Sequence, residues 1–180
     1  MTRQRIQCSR VKMKFKDLRE FIRFLEEKGE LRRISAPVNR ELEITEIADR
    51  VIKSGGPALL FENVTGYDTP VLINMYGTHQ RMAWALGVDN IDDLVGRIEG
   101  LLDLMHGPPK GLMNKLRTLG QLVQLGSFQP KTVNSAPCQE VVIRADDVDL
   151  YKFPILKCWP LDGGPFVTLP LVITKDPETG

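Results

Sequence analysis

Phe166-Val167-Thr168-Leu169-Pro170-Leu171-Val172-Ile173-Thr174, running on into Lys175-Asp176-Pro177-Glu178-Thr179-Gly180, is the stretch on which the fold reading turns. Its first part is rich in β-branched and aromatic residues and predicts a strand. Pro170 cannot donate to a ladder, so it confines that strand to an edge or a bulge. The second part spells a hairpin loop. Aspartate is favoured at the first turn position, proline pre-sets the second, and glycine supplies positive φ at the exit. Such a turn serves a return strand, and this sequence contains none after Gly180. A strand over residues 166–174 would then expose a row of unpaired backbone groups. The expectation is a domain incomplete at its C-terminus.

Working back from there, residues 127–137 are irregular and polar, which sets a domain boundary. Residues 129–180 read as a linker and the start of a second domain, with 140–144 strand-like and 151–165 a loop holding three prolines. Residues 13–128 read as an N-terminal domain of interleaved helices and strands. Leu18, Phe21, Ile22 and Leu25 share one face of a helix over residues 17–28, with Gly29 as its left-handed cap. Leu31 and Ile34 belong to a short strand. Ile44, Ile47, Ala48, Val51 and Ile52 stripe a helix over 41–54, ended by Gly55-Gly56-Pro57. Residues 58–61 and 71–74 are buried strands flanking Thr65-Gly66-Tyr67-Asp68. Helices follow over 78–86, over 91–105 behind Asp89 or Asn90 as N-cap, and over 112–125.

The chain has 180 residues, 42% hydrophobic and 26% charged, with a net charge of +1, which describes an ordinary globular chain. It offers no field to gather nucleic acid, and no apolar run long enough to span a bilayer. Arg3, Arg5, Arg10, Lys12 and Lys14 make the first residues basic, but no apolar segment follows, so they are not a secretory signal. Residues 1–12 are expected to be a disordered extension. They are either a basic presequence or an upstream over-reading of a chain that starts at Met13. Cys8, Cys138 and Cys158, with only His79 and His106, form neither a zinc pattern nor a disulfide framework. Reduced thiols and a cytoplasmic location are the expectation.

The residue-level candidates each carry a plain structural reading as well. His79 sits where a helix begins and reads as exposed or capping. His106 before Gly107-Pro108-Pro109 suits a helix C-terminus. Asp146, Asp147 and Asp149 lack the alternation and glycine of a calcium loop and read as a solvated turn. Asp162-Gly163-Gly164 could offer backbone amides to a phosphate, or form a tight turn. Cys138 and Cys158 have no evident activating histidine or helix N-terminus.

Trp159-Pro160, Asp162-Gly163-Gly164, Phe166-Val167-Thr168-Leu169 and Ile173-Thr174-Lys175-Asp176-Pro177-Glu178-Thr179-Gly180 together resemble the opening of the central domain of the UbiD family. Phe15-Lys16-Asp17-Leu18-Arg19, Gly56-Pro57-Ala58-Leu59-Leu60-Phe61-Glu62-Asn63 and Asn74-Met75-Tyr76-Gly77-Thr78 resemble its N-terminal region. The resemblance spans roughly residues 13–180. It implies an α+β fold: a mixed α/β domain, then the first strands of a split β-barrel of flavin-binding type.

By the same resemblance the function is that of the N-terminal portion of a 3-polyprenyl-4-hydroxybenzoate carboxy-lyase-like enzyme. Such enzymes decarboxylate, or reversibly carboxylate, aromatic and α,β-unsaturated acids, in one branch within ubiquinone biosynthesis. They use prenylated FMN, a divalent metal (Mn or Mg) and potassium. A flavin prenyltransferase supplies the cofactor, and the full-length enzymes are homo-oligomers. Thr168 would line the flavin pocket and Trp159 would pack beside it. Threonine equally suits a pleated strand, and a tryptophan beside proline equally closes a loop over a core. The family's metal-binding asparagine and histidine, its catalytic arginine and its acidic residues match positions beyond Gly180. No residue here inherits a catalytic or metal role, so the chain alone is expected to bind no cofactor and to decarboxylate nothing. The alternative expectation is a stand-alone regulatory or assembly subunit that pairs with a separately encoded catalytic chain.

Overall fold

A computed structural model describes residues 15–105 and 132–180. The readings of residues 1–12, of Met13 as a start, of a helix over 112–125 and of His106 lie outside the described residues. The described residues divide into two compact units, one made of Ile22–Gly77 and Ala145–Gly180, the other of residues 15–21, 78–105 and 132–144.

The first unit is built on a three-stranded sheet in the order β1-β2-β3, with β1 at Leu31–Ile34, β2 at Ala58–Phe61 and β3 at Val71–Ile73. β1 pairs with β2 in parallel, Leu31 beside Ala58 and Ile34 beside Phe61; β2 pairs with β3 antiparallel, Leu59 beside Ile73 and Phe61 beside Val71. The sheet is therefore mixed, as the sequence reading expected. All four residues of β2 are buried, and its unbroken run Ala58-Leu59-Leu60-Phe61 suits a central strand covered on both faces. Fully burying one such leucine or phenylalanine is worth ~1.5–3 kcal/mol.

Helix α1, Leu18–Glu27, straddles the division between the units. Asp17 Oδ1 accepts the Glu20 N–H at 2.9 Å, and the Glu20 carboxylate accepts the Lys16 N–H at 2.8 Å. That reciprocal arrangement starts the helix. Gly29 stops it at φ 72°, with its N–H on Glu26 O and the Glu30 N–H on Leu25 O. Helix α2, Glu43–Lys53, is the crossover between the two parallel strands and buries Ile44 and Ala48. Gly55, at φ 69°, ends it in the same way.

On the surface, Arg33 of β1 reaches Glu26 and Glu62, each at 2.7 Å. The hydrogen bond from Arg33 holds the Glu26 carboxyl below the usual carboxylate range, and Glu26, then Glu62, raise the guanidinium. After β3 the chain turns at Asn74, which is buried at φ 61° and donates through Nδ2 to Pro57 O at 2.8 Å and Gly56 O at 3.3 Å.

In the second unit, α3 spans His79–Ala85 and is capped by Thr78, whose hydroxyl accepts the Arg81 N–H. Arg81 and Ala83 are fully buried. Helix α4, Asp93–Met105, starts two residues later than periodicity predicts, because residues 90–92 form its cap. Asn90 Oδ1 accepts the Asp92 N–H and Asp93 Oδ2 accepts the Asn90 N–H. Among the described residues no helix is long and apolar enough to cross a membrane.

Two expected strands are absent. Residues 140–144 and 166–174 are irregular and exposed throughout. A strand exists only where another strand accepts and donates along its length, and no strand pairing is formed by either stretch. The α+β reading therefore holds for the three-stranded sheet and its helices, while the described residues contain no barrel strand.

Candidate functional site

The segment read as a mere loop, residues 151–165, contributes to the core of the sheet unit. Pro154, Leu156 and Cys158 are buried, while Ile155 and Lys157 between them are half-exposed. That alternation is the period of an extended strap with one apolar face. Leu156 and Cys158 join Val38, Ile44, Leu59, Phe61 and Val64 in one cluster, against which Ile34, Ile47, Val51, Tyr67, Val71 and Ile73 pack.

The strap's outward carbonyls are held by the turn that precedes α2. Arg40 Nη1 donates to Ile155 O at 2.8 Å, and the Leu42 N–H donates to Lys157 O at 3.0 Å. Glu41 bridges Lys157 in parallel. The Arg40 guanidinium also lies 5.6 Å from the centre of the Tyr67 ring, within cation–π range. Asn39 shapes the turn: its side chain accepts the Glu41 N–H, and its own N–H reaches the Glu43 carboxylate.

Beyond the strap the chain loops out and returns. The Trp159 N–H donates to Asp162 Oδ2 at 2.8 Å, the Asp162 N–H donates to Trp159 O at 3.1 Å, and the Phe166 N–H closes the loop on Leu156 O at 3.0 Å. The hydrogen-bonded turn is thus Trp159-Pro160-Leu161-Asp162, and Gly163-Gly164 follow it as a bend. The loop presents Trp159, 60% exposed, and Leu161, 98% exposed. Thr168 lies just past the closure and is exposed, on backbone with no strand partner.

Among the other candidates, His79 is exposed at the first position of α3. Asp146 and Asp147 lie in a 3₁₀ turn and are exposed, and Asp149 accepts the Tyr151 N–H. Cys138 is exposed and Cys158 is buried in the sheet core. Asp176 takes the first turn position as expected. One carboxylate oxygen accepts the N–H groups of Glu178 at 2.8 Å and Thr179 at 2.9 Å, and Gly180 follows at φ 75°. Those donors, Thr179 first, hold the Asp176 carboxyl below its ordinary range.

Chemically, the carboxylates of Asp162 and Asp176 are committed to their turns. Trp159 and Thr168 sit on one continuous stretch and are both exposed. Among the described residues no three His, Cys, Asp or Glu side chains converge as metal ligands. Sequence reasoning missed Arg40 and Leu156, since nothing in their local pattern announces partners more than a hundred residues away.

Comparison with known proteins adds the following. The profile of the 3-octaprenyl-4-hydroxybenzoate carboxy-lyase N-terminal domain matches residues 22–98, and that of the Rift-related domain of the same carboxy-lyase matches residues 131–180. An uncharacterized protein of Archaeoglobus fulgidus is 51% identical over 168 residues, covering 93% of this chain and 34% of the relative. An evolved dimeric form of the UbiD-class enzyme HmfF from Pelotomaculum thermopropionicum, in complex with prFMN, superposes with a TM-score of 0.64. It is 30% identical, with 91% of this chain and 33% of that one covered. Vanillic acid decarboxylase from Sedimentibacter hydroxybenzoicus, in its closed form, gives a TM-score of 0.59 at 29% identity, over 84% of this chain and 29% of that one. The chain spans about a third of the length of the relatives it matches.

Proposed function

The chain belongs to the UbiD carboxy-lyase family, and on that premise we propose that it forms the N-terminal portion of a prenylated-FMN-dependent decarboxylase or carboxylase. Its substrates are aromatic or α,β-unsaturated acids, polyprenyl hydroxybenzoate among them. The observation that carries this reading is the succession of two domains of one enzyme family along one chain, in the family's order.

In this reading the sheet unit is a platform. It holds the strap at Pro154, Leu156 and Cys158 and thereby places loop 156–166, with Trp159, beside the barrel that carries the flavin. When bound, the flavin would supply the electron sink for loss of carbon dioxide, together with a divalent metal and potassium. The protein's share of such chemistry is binding, orientation and exclusion of water. In this reading the described residues build one side of the site. A proton donor must stand within ~3 Å of the atom it serves, and the Asp162 carboxylate beside Trp159 is tied to its turn by the Trp159 N–H.

The coding sequence that follows Gly180 in the source genome tests the proposal. The expected finding is a frame that continues into a strand bearing an asparagine and an arginine. A frame that continues into unrelated sequence, or a stop codon with no such strand encoded nearby, overturns it.

A further inference from the structure

We propose that Arg40 is a positioning residue that, together with Leu42, anchors the strap and so presents Trp159 in one pose; the purpose of that pose rests on the function proposed above. The inward face of the strap is apolar at every second residue, Pro154, Leu156 and Cys158. Hydrophobic burial has no direction. Directional bonds are what hold the strap in one pose, and the turn before α2 provides them at the carbonyls of Ile155 and Lys157.

Arg40 takes Ile155 O with a charged donor, and its side chain is only 15% exposed. Tyr67 backs the guanidinium from one side and the Glu41 carboxylate stands 3.7 Å away. Leu42 takes Lys157 O from a backbone at φ 64°, a conformation that leucine rarely adopts and that surrounding contacts must enforce. The next contact along the chain, Phe166 N–H on Leu156 O, closes the loop around Trp159. A guanidinium can bond the carbonyl while stacking on Tyr67; a lysine ammonium offers a point charge without the plane.

Hydrogen exchange on the 180-residue chain with Arg40→Ala and Arg40→Lys tests this, with the ladder amides of β2 as the internal reference. In Arg40→Ala the amides of Leu42 and Phe166 should exchange about tenfold faster or more, while β2 keeps its protection. Arg40→Lys should fall between the two, and it carries the test should the alanine variant fail to fold. In a Trp84→Phe background, which leaves Trp159 as the sole tryptophan, its fluorescence anisotropy should fall with Arg40→Ala. Acceleration of all amides together would show a merely structural role and overturn the inference. So would unchanged exchange at Leu42 and Phe166. Neither readout involves flavin, so a failure of the proposed function would leave these results standing.

Discussion

The backbone N–H of Leu42 donates to the carbonyl of Lys157 at 3.0 Å, and Leu42 occupies the left-handed region, φ 64°, in making that bond. A left-handed conformation costs a residue with a Cβ ~1–2 kcal/mol, and glycine escapes that cost. Leu42→Gly and Leu42→Ala lose the same half-exposed side chain, but only the alanine keeps the strain. Chemical denaturation should find the glycine variant the more stable by about 1 kcal/mol. Equal stabilities would mean that the turn is not strained.

Leu156 is 7% exposed and packs into the sheet core although it lies far along the chain from β2. Leu156→Ala should therefore destabilise the sheet unit by ~2–4 kcal/mol, the range for a buried leucine whose cavity only partly collapses. The measurement is loss of amide protection in β1 and β2. If those strands keep their protection while only residues 153–166 loosen, the strap is an appendage and not part of the core.

A Cβ placed on Gly56 would stand 2.7 Å from Val51 Cγ1 and 3.2 Å from the Val51 carbonyl. Valine is stiff at χ1 and its carbonyl belongs to α2, so neither neighbour yields cheaply. Gly56→Ala should cost ~1–3 kcal/mol, as overpacking does. Adding Val51→Ala removes one of the two clashes and should recover part of the loss relative to Val51→Ala alone; a purely additive pair would place the cost elsewhere.

The Asp176 carboxyl titrates below its ordinary value because the amides of Thr179 and Glu178 bond its charged form. A depressed folded-state pKa gives stability that is present above the unfolded value and lost as pH falls through the folded one. The turn at 176–180 should thus hold to a lower pH than the protonation of a free aspartate would allow. The amide chemical shifts of Glu178 and Thr179, followed against pH, should share one midpoint below the ordinary aspartate value. A midpoint at the ordinary value would show that the carboxylate does not hold the turn.

Local signals in the sequence were sufficient wherever one element could be read by itself. The helical stripes, the caps at Gly29 and Gly55, the buried run 58–61 and the turn at Asp176 all appear within a residue or two of where spacing and turn chemistry put them. The strands over 140–144 and 166–174 failed for a reason that the sequence shows poorly. β-Branched composition marks a segment fit for a strand, but only a neighbouring strand makes it one. The strap failed in the opposite sense. Three prolines in residues 151–165 and a loop-like composition hid the alternation of Pro154, Leu156 and Cys158, and Arg40 gave no local sign of its distant carbonyl. Of the candidate site, Trp159 and Thr168 were legible only through family resemblance, and both are exposed.

Flavin retention by the 180-residue chain, purified after expression with prenylated FMN and manganese and then offered an aryl carboxylic acid, tests the central claim most directly. On the reading that this chain builds one side of the site, the account predicts a colourless protein and no carbon dioxide above the buffer control. Stoichiometric flavin absorbance together with release of carbon dioxide at an enzyme-like rate would contradict it, and would place the chemistry among the residues described here.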